Sequence, residues 1–561
     1  MEINQLTIGF FIGVVISIVG AVLCFTQRRA PEHRFASSDD DFYFSTPHLF
    51  AAFITLFAYA LSYTLISNAK VGLFSADDYV RAEFSYGWTK NPYLATWDHV
   101  WLTGPVAVSG LVFKIKPDME FVYALVHFTA GFLTTFGAFL ITSILWRSAA
   151  ASLIVGLLVA SQRDFQHASV GAQSDVLAYG PMLFALAIWL YQATKPDITT
   201  RAKSIHLVVI GLLLCIAEWM RYEMWFLGFL YCNYAFVVGI IHWRKKVWDV
   251  TIASIIAIIL TASTPVAWCL SSLFKMGSLF AFAEKSRELN IQTNLFYDLD
   301  SPFVRFTVYP RILTIDHWMY MSFVFIGIII SLLIIKRATI GTKQRAVYYT
   351  LAYLGLLLLS MIATYRSGIG SNSRPRYSLF LLLPLLPFAG LALGKPLSWA
   401  VQSFSISKIK STLIIGVTVL FILMFCGTSV YKAHFFYPDA FGMRAGIVAL
   451  AKLLRIEHAS HRAPTYYGEE QLLWPGGVPL VVFTDEKNPI NPLVLRYHSL
   501  RPYEIQTAYN KEQLAQQLAS LPHKSRVLVP IESELPDDLA DQLTHIHDFP
   551  PFGIYYFNGN I

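Results

Sequence analysis

The sequence places three groups of charged side chains against long apolar runs, where an ionisable residue is costly unless it is paired or used. The first is Asp77-Asp78, in the stretch FSADDYVRAEF that follows an apolar run ending near residue 67. Adjacent carboxylates near a bilayer surface meet a lowered dielectric and a like charge, which raise one pKa and let that group act as a general base. The same residues fit a helix start with Ser75 or Asp77 as N-cap, and on the pair alone both readings stand. The second group is Asp175, which ends SQRDFQHASVGAQSD at the mouth of another apolar run, with Arg163, Asp164 and His167 nearby. An Arg163–Asp164 pair or an N-cap by Ser174 accounts for it equally well, and His167 reads as a solvated loop histidine. The third group is arginine: Arg221 in EWMRYEMW, flanked by Glu218 and Glu223, and Arg374 and Arg376 in SNSRPRYSLFLLLPLLP. Guanidinium binds phosphate bidentately, so at an interface these residues suit a lipid phosphate. Neutralisation of Arg221 by Glu223, or snorkelling, fits as well.

The elements that must position these groups are membrane spans. Of the 561 residues, 55% are hydrophobic and only 14% charged, against roughly 25% charged in soluble domains. That excludes a cytosolic enzyme, a disordered chain and a small secreted module. Apolar runs at Leu6 to Thr26 and near 49–67, 120–145, 149–161, 176–193, 205–219, 226–242, 250–273, 318–335, 346–363, 378–394 and 411–430 predict about twelve transmembrane helices. The first ends in Arg28-Arg29 rather than a small-residue cleavage site, so it reads as a span and not a cleaved signal. The run at 149–161 is the weakest, because a span needs about 17 to 25 residues.

Basic clusters fall in alternate loops: Arg28-Arg29-Arg34, Arg147, Lys195-Arg201-Lys203, Arg244-Lys245-Lys246, Lys336-Arg337-Lys343-Arg345 and Lys395-Lys408-Lys410. By the positive-inside rule those loops are cytoplasmic, and the loops holding the acidic pair, Asp175 and the arginines are extracytoplasmic. The net charge of +7 then records topology rather than an affinity for nucleic acid. Omitting the weak run would scatter the basic loops over both sides. Cys24, Cys215, Cys232, Cys269 and Cys426 all lie in apolar runs without zinc spacing and read as small core residues.

From 431 onward charge density rises. The β-rich runs VPLVVF (478–483) and SRVLVPI (525–531) alternate with a helical stretch at Lys511 to Leu521, the pattern of a small α/β domain. The segment Ala440 to Leu454 is amphipathic. The expected architecture is an α-helical polytopic membrane protein: a transmembrane domain over 1–430, with extracytoplasmic loops at 68–119, 162–175 and 274–317, and a soluble extracytoplasmic α/β domain over 431–561.

With its loops in this order, the chain resembles the GT-C superfamily of polyprenyl-phosphate-sugar glycosyltransferases, especially the branch of protein O-mannosyltransferases and aminoarabinose transferases. The resemblance covers about 60–395. Asp77-Asp78 matches the family's acidic pair in the first extracytoplasmic loop, whose first member is the catalytic base, which points to Asp77 with Asp78 second. WLTGPVAVSGLVF, with Pro105, is similar to the family's proline-rich motif ahead of an amphipathic helix, but Thr103 stands nearest to where the family has a lysine. Asp175 resembles the acidic residue of the second loop. Arg221, Tyr222 and Glu223 sit where relatives keep a basic residue in a short motif between spans. RPRYSLFLLLPLLP, with Arg374, Arg376 and Tyr377, is similar to the family's RYLLPLYP.

The resemblance implies an inverting transfer of sugar from a polyprenyl-phosphate donor to a hydroxyl on a glycan, lipid or protein. The basic loops put it on the extracytoplasmic side, and a bacterial inner membrane is expected because the sequence shows no eukaryotic retention signal or luminal repeat domain. The leaving phosphate is then met by Arg221, Arg374 or Arg376. No cofactor is predicted; some members use a divalent cation (Mg or Mn), and no ligand cluster in the sequence decides the matter. Two other classes stay open: a polymerase or ligase of the O-antigen type using lipid-linked glycans, and a multi-span transporter or flippase. A relative that only binds glycan stays open too. Against the transporter, the carboxylates cluster at loop mouths rather than mid-span, and no internal repeat is seen.

Overall fold

A computed structural model describes residues 45–68, 76–93, 102–116, 118–195, 198–285, 302–337, 340–367, 375–402 and 408–435, and in the tail 480–483, 505–508, 511–519, 526–530, 542–549 and 552–557. The expected span at Leu6 to Thr26, Arg374 and the amphipathic segment at 440–454 lie outside the described residues.

The helices are α1 Thr46–Asn68, α2 Ala76–Lys90, α3 Gly104–Ile115, α4 Met119–Trp146, α5 Ala149–Ser161, α6 Arg163–Val170, α7 Asp175–Thr194, α8 Thr200–Met220, α9 Met224–Arg244, α10 Trp248–Met276, α11 Pro302–Ile315, α12 Trp318–Arg337, α13 Ile340–Ser367, α14 Leu379–Gln402 and α15 Lys408–Phe435. Among the described residues eight of these are long and apolar enough to cross a membrane, or nine if α11 and α12, bent by 94° at Asp316-His317, form one broken span. The chain is an integral membrane protein. The run at 318–335 is thus not a lone straight span: it joins α11, which lies inside the stretch 274–317.

By contact the chain forms two compact units. One comprises Met1–Ser67, Tyr93–Pro105 and Leu125–Ala433; the other comprises Asn68–Pro92, Val106–Ala124 and His434–Ile561. In the first unit α14 is central, with 89% of its apolar stretch buried, whereas α10 and α13 bury 28% of theirs and present Ile252, Ile255, Ile259, Leu351, Leu354 and Leu358 outward. A helix apolar all round suits lipid on one side and protein on the other. The short α5 starts at Ser148, whose side chain accepts the Ala151 N–H, and most of its residues are buried. Thirteen residues rise only about 20 Å, but a helix shielded from lipid need not match the bilayer. At Gln162 the chain turns with extended backbone into α6, so the second loop is a buried helical connector.

In the second unit, α2 packs on α3: Tyr86 meets Phe113 edge-on at 5.2 Å, and Lys114 Nζ lies 5.5 Å from the Trp88 ring centre. The described tail strands, β1 Leu480–Phe483, β2 Ile505–Ala508, β3 Arg526–Pro530, β4 Leu543–Phe549 and β5 Phe552–Phe557, form one sheet in the order β2-β1-β3-β5-β4. β1 runs parallel to β2 and β3, while β5 pairs antiparallel with β3 and β4. Helix α16, Lys511–Ala519, buries Leu514 and Leu518 against Ala508, Val527, Val529 and Leu543, the i, i+4 face expected of an amphipathic helix on a sheet.

Candidate active site

Arg221 is the hub of the polar cluster in the first unit. It caps the C-terminus of α8 with extended backbone, and Tyr222 and Glu223 complete a tight turn into α9. Its guanidinium forks onto Glu223, with Nε to Oε2 at 3.1 Å and Nη2 to Oε1 at 2.7 Å. Nη1 lies 2.8 Å from Asp175 Oδ1, an ion pair off the line of a hydrogen bond. Asp175 is the first residue of α7, where the helix dipole favours a carboxylate. Ser174 makes no side-chain cap, so capping by Ser174 does not account for Asp175. Burial works against the charged form of Arg221, but Asp175 and then Glu223 outweigh it and hold its pKa well above the ordinary arginine value.

The third part of the cluster arrives from far along the chain. Pro375–Ser378 forms a single 3₁₀ turn ahead of α14. Arg376 Nε lies 3.9 Å from Asp175 Oδ2, and Arg376 Nη2 donates to the Tyr377 hydroxyl at 2.8 Å. The Tyr377 ring faces both guanidiniums, with Arg376 Cζ at 4.7 Å and Arg221 Cζ at 5.3 Å from its centre, distances at which cation–π attraction acts. Tyr179, one turn into α7, donates to the Arg376 carbonyl at 3.4 Å. Two carboxylates thus face two guanidiniums at the junction of four helix ends.

An aromatic wall adjoins this cluster. Tyr222 stacks on Phe282 at 5.2 Å and meets Trp225 edge-on at 5.1 Å, and Trp268 and Leu102 pack in the same group. Burial pushes the Tyr222 hydroxyl well above the usual tyrosine pKa. Thr103 is buried and accepts the Trp219 indole N–H at 2.8 Å. At Gly104 a Cβ would run into the Trp219 carbonyl, so Thr103 and Gly104 seat directly on the end of α8.

The structure therefore brings together Asp175, Arg221, Glu223, Arg376 and Tyr377. Asp77 and Asp78 are the second and third residues of α2, inside its first turn, so Asp77 is past the cap position. His167 is buried on α6 and is not a solvated loop residue. Arg163 Nε lies 3.9 Å from Asp164 Oδ1, the local pair read from sequence, but the other Asp164 oxygen lies 3.9 Å from His317 Nδ1. Glu218 is buried in α8 beside Gly228, apart from the ion pairs. Four of the five cysteines are described, and all four are free and half-buried. Sequence reasoning missed Tyr179, His317 and Ser378. Of these only His317 carried a signal, as a polar residue between two apolar runs.

ArnT from Cupriavidus metallidurans bound to undecaprenyl phosphate superposes with a TM-score of 0.54 at 13% identity, covering 91% of this chain and 97% of that one. The fold is that of ArnT. ArnT in the apo state matches with a TM-score of 0.52 at 12% identity, over 90% of this chain and 97% of that one. No protein-family model and no curated protein sequence matches the chain. In this fold the charges paired around Arg221 come from the ends of α7, α8, α9 and the turn before α14. Among the described residues no group of three or more His, Cys, Asp or Glu side chains is placed to hold a metal ion. Asp175 and Glu223 both face Arg221, so as arranged they do not form an open carboxylate pair for a cation.

Proposed function

We propose that the chain is a membrane glycosyltransferase that moves a sugar from a polyprenyl-phosphate donor to a hydroxyl acceptor on the extracytoplasmic side of a bacterial inner membrane. The observation that carries this reading is the cluster of Arg221, Arg376, Asp175, Glu223 and Tyr377, joined at one end of a GT-C bundle. Undecaprenyl phosphate, the lipid held by ArnT, has the headgroup such a pair of guanidiniums suits. A phosphate arriving at Arg376 would exchange its 3.9 Å contact with Asp175 for a charge-assisted bond. Arg374, two residues earlier, is a further candidate for the same phosphate.

In the proposed reaction the Asp77 carboxylate takes the proton of the acceptor hydroxyl, and Asp78 supports it. The oxygen attacks the anomeric carbon, the bond from that carbon to the phosphate oxygen breaks, and its electron pair leaves on polyprenyl phosphate. The carbon is inverted. Arg221 and Arg376 stabilise the developing charge, and a phosphate leaving group lets the step proceed without requiring a metal ion.

The test is transfer of labelled sugar from polyprenyl monophosphate in membranes carrying the full chain. Asp77→Asn is expected to lower the rate by about 100-fold or more, and Asp78→Asn by less. Full activity of Asp77→Asn removes the base assignment, and loss with Asp78→Asn alone exchanges the two roles. Turnover of pyrophosphate-linked glycan in place of the monosaccharide donor would make the chain a polymerase or ligase.

A further inference from the structure

The helix elbow at Asp316-His317 is placed to act on the site without touching it. α11 ends at Ile315 and α12 begins at Trp318, so the 94° bend is made at two residues. Asp316 is exposed, but the His317 ring is turned inward and only 2% of the residue is accessible. A buried imidazole costs free energy unless its nitrogens find partners. Nε2 lies 3.0 Å from the hydroxyl of Ser378, itself fully buried, and Nδ1 lies 3.9 Å from Asp164 Oδ2. Asp164 is held in turn by Gln162, whose amide donates to the same oxygen at 3.2 Å.

Ser378 closes the 3₁₀ turn that presents Arg376 and Tyr377. The turn is thus held at both ends by side chains from elsewhere in the bundle: Tyr179 bonds the Arg376 carbonyl and His317 bonds Ser378. We propose that His317 is a positioning residue for the phosphate site, fixing the Arg376-Tyr377 turn through Ser378 and tying it to the broken α11/α12 helix and to Asp164. Without that bond the turn loses its tie to the α11/α12 elbow at the Ser378 end, and the two guanidiniums lose their set spacing across the Tyr377 ring.

The inference rests on the reading of this cluster as a lipid-phosphate site, and the test separates the two. The measurement is affinity of the purified full-length protein in detergent for undecaprenyl phosphate, with melting temperature followed in parallel. The wild type is expected to bind. His317→Leu and Ser378→Ala should each weaken binding by about tenfold, and together by no more than either alone, because both delete one bond. His317→Gln, whose amide can reach the Ser378 hydroxyl, should restore binding to within about threefold of wild type. A merely structural histidine would lower the melting temperature without this pattern of rescue and non-additivity. If His317→Leu does not fold, Ser378→Ala, which deletes a single oxygen, decides. Wild-type binding with Ser378→Ala and His317→Gln both unchanged in affinity, and His317→Leu unchanged or unfolded, overturns the inference alone. Absence of wild-type binding overturns the proposed function and this inference with it.

Discussion

Removing Arg221 would leave Asp175 and Glu223 buried near one another with no guanidinium between them. Breaking a buried ion pair from one side costs about 3–5 kcal/mol, and Asp175 is only 3% accessible at its side chain. Arg221→Ala should therefore lower the melting temperature in detergent by several degrees as well as abolish activity. Arg221→Lys should keep most of the stability but lose transfer, since one ammonium cannot form the fork to Glu223 while reaching Asp175. Equal melting temperatures for Arg221→Ala and wild type would show that the carboxylates find other partners. At this scale four of the residues that meet were legible because a charge beside an apolar run needs a reason to be there, and Tyr377 through the resemblance of its segment to the family's RYLLPLYP. The local pairs Arg221–Glu223 and Arg163–Asp164 were legible too, but the pairing of Arg221 with Asp175 across the bundle was not, since nothing in the sequence brings the two helix ends together. His167 misled because a polar string such as SQRDFQH looks solvated, whereas the short helix it forms is packed inside the bundle.

Two short or broken elements, α5 and the α11/α12 pair, do work that straight spans could not. α5 carries the chain from Arg147 to Asp164, which reaches the level of Ser378 through His317. It is held by close backbone approach to α14. A Cβ at Gly390 would lie 2.7 Å from the Ala151 carbonyl oxygen, and one at Gly394 would lie 2.6 Å from the Ala151 Cα. Small residues four apart are how helices pack closely in membranes, where hydrophobicity does not drive association. Gly390→Leu or Gly394→Leu should thus cost about 1–3 kcal/mol or more, seen as loss of monodisperse protein or a lower melting temperature. Gly416→Leu on α15, where a side chain meets nothing within 4 Å, should stay close to wild type. The sequence showed the weak run at 149–161 through charge alternation in its flanking loops and not through its own length. It concealed α11, because Pro302, Pro310, Arg305 and Arg311 break the apolar period that would mark a helix.

For the whole molecule, sidedness decides whether the site can meet its substrates. The ion pairs fix relative direction: the start of α7, the end of α8, the start of α9 and the turn before α14 meet at one place. The other ends of those helices therefore point the opposite way. They carry Lys195, Arg201, Lys203, Arg244, Lys245, Lys246 and Lys395, basic residues of the loops assigned to the cytoplasm. Two independent facts, electrostatic pairing within the fold and charge counting along the chain, thus agree on which ends belong together. The absolute side follows from the positive-inside rule alone, so it is the step to test. Cysteines placed at Lys245 and at the C-terminus, in a cysteine-free background, should differ in labelling by an impermeant maleimide in intact cells. The C-terminal position is expected to react and position 245 to react only after lysis. Labelling of position 245 in intact cells would invert the protein. It would place the arginine cluster on the cytoplasmic face and remove the extracytoplasmic transfer proposed above, while leaving the pairing of Arg221 with Asp175 and Glu223 untouched.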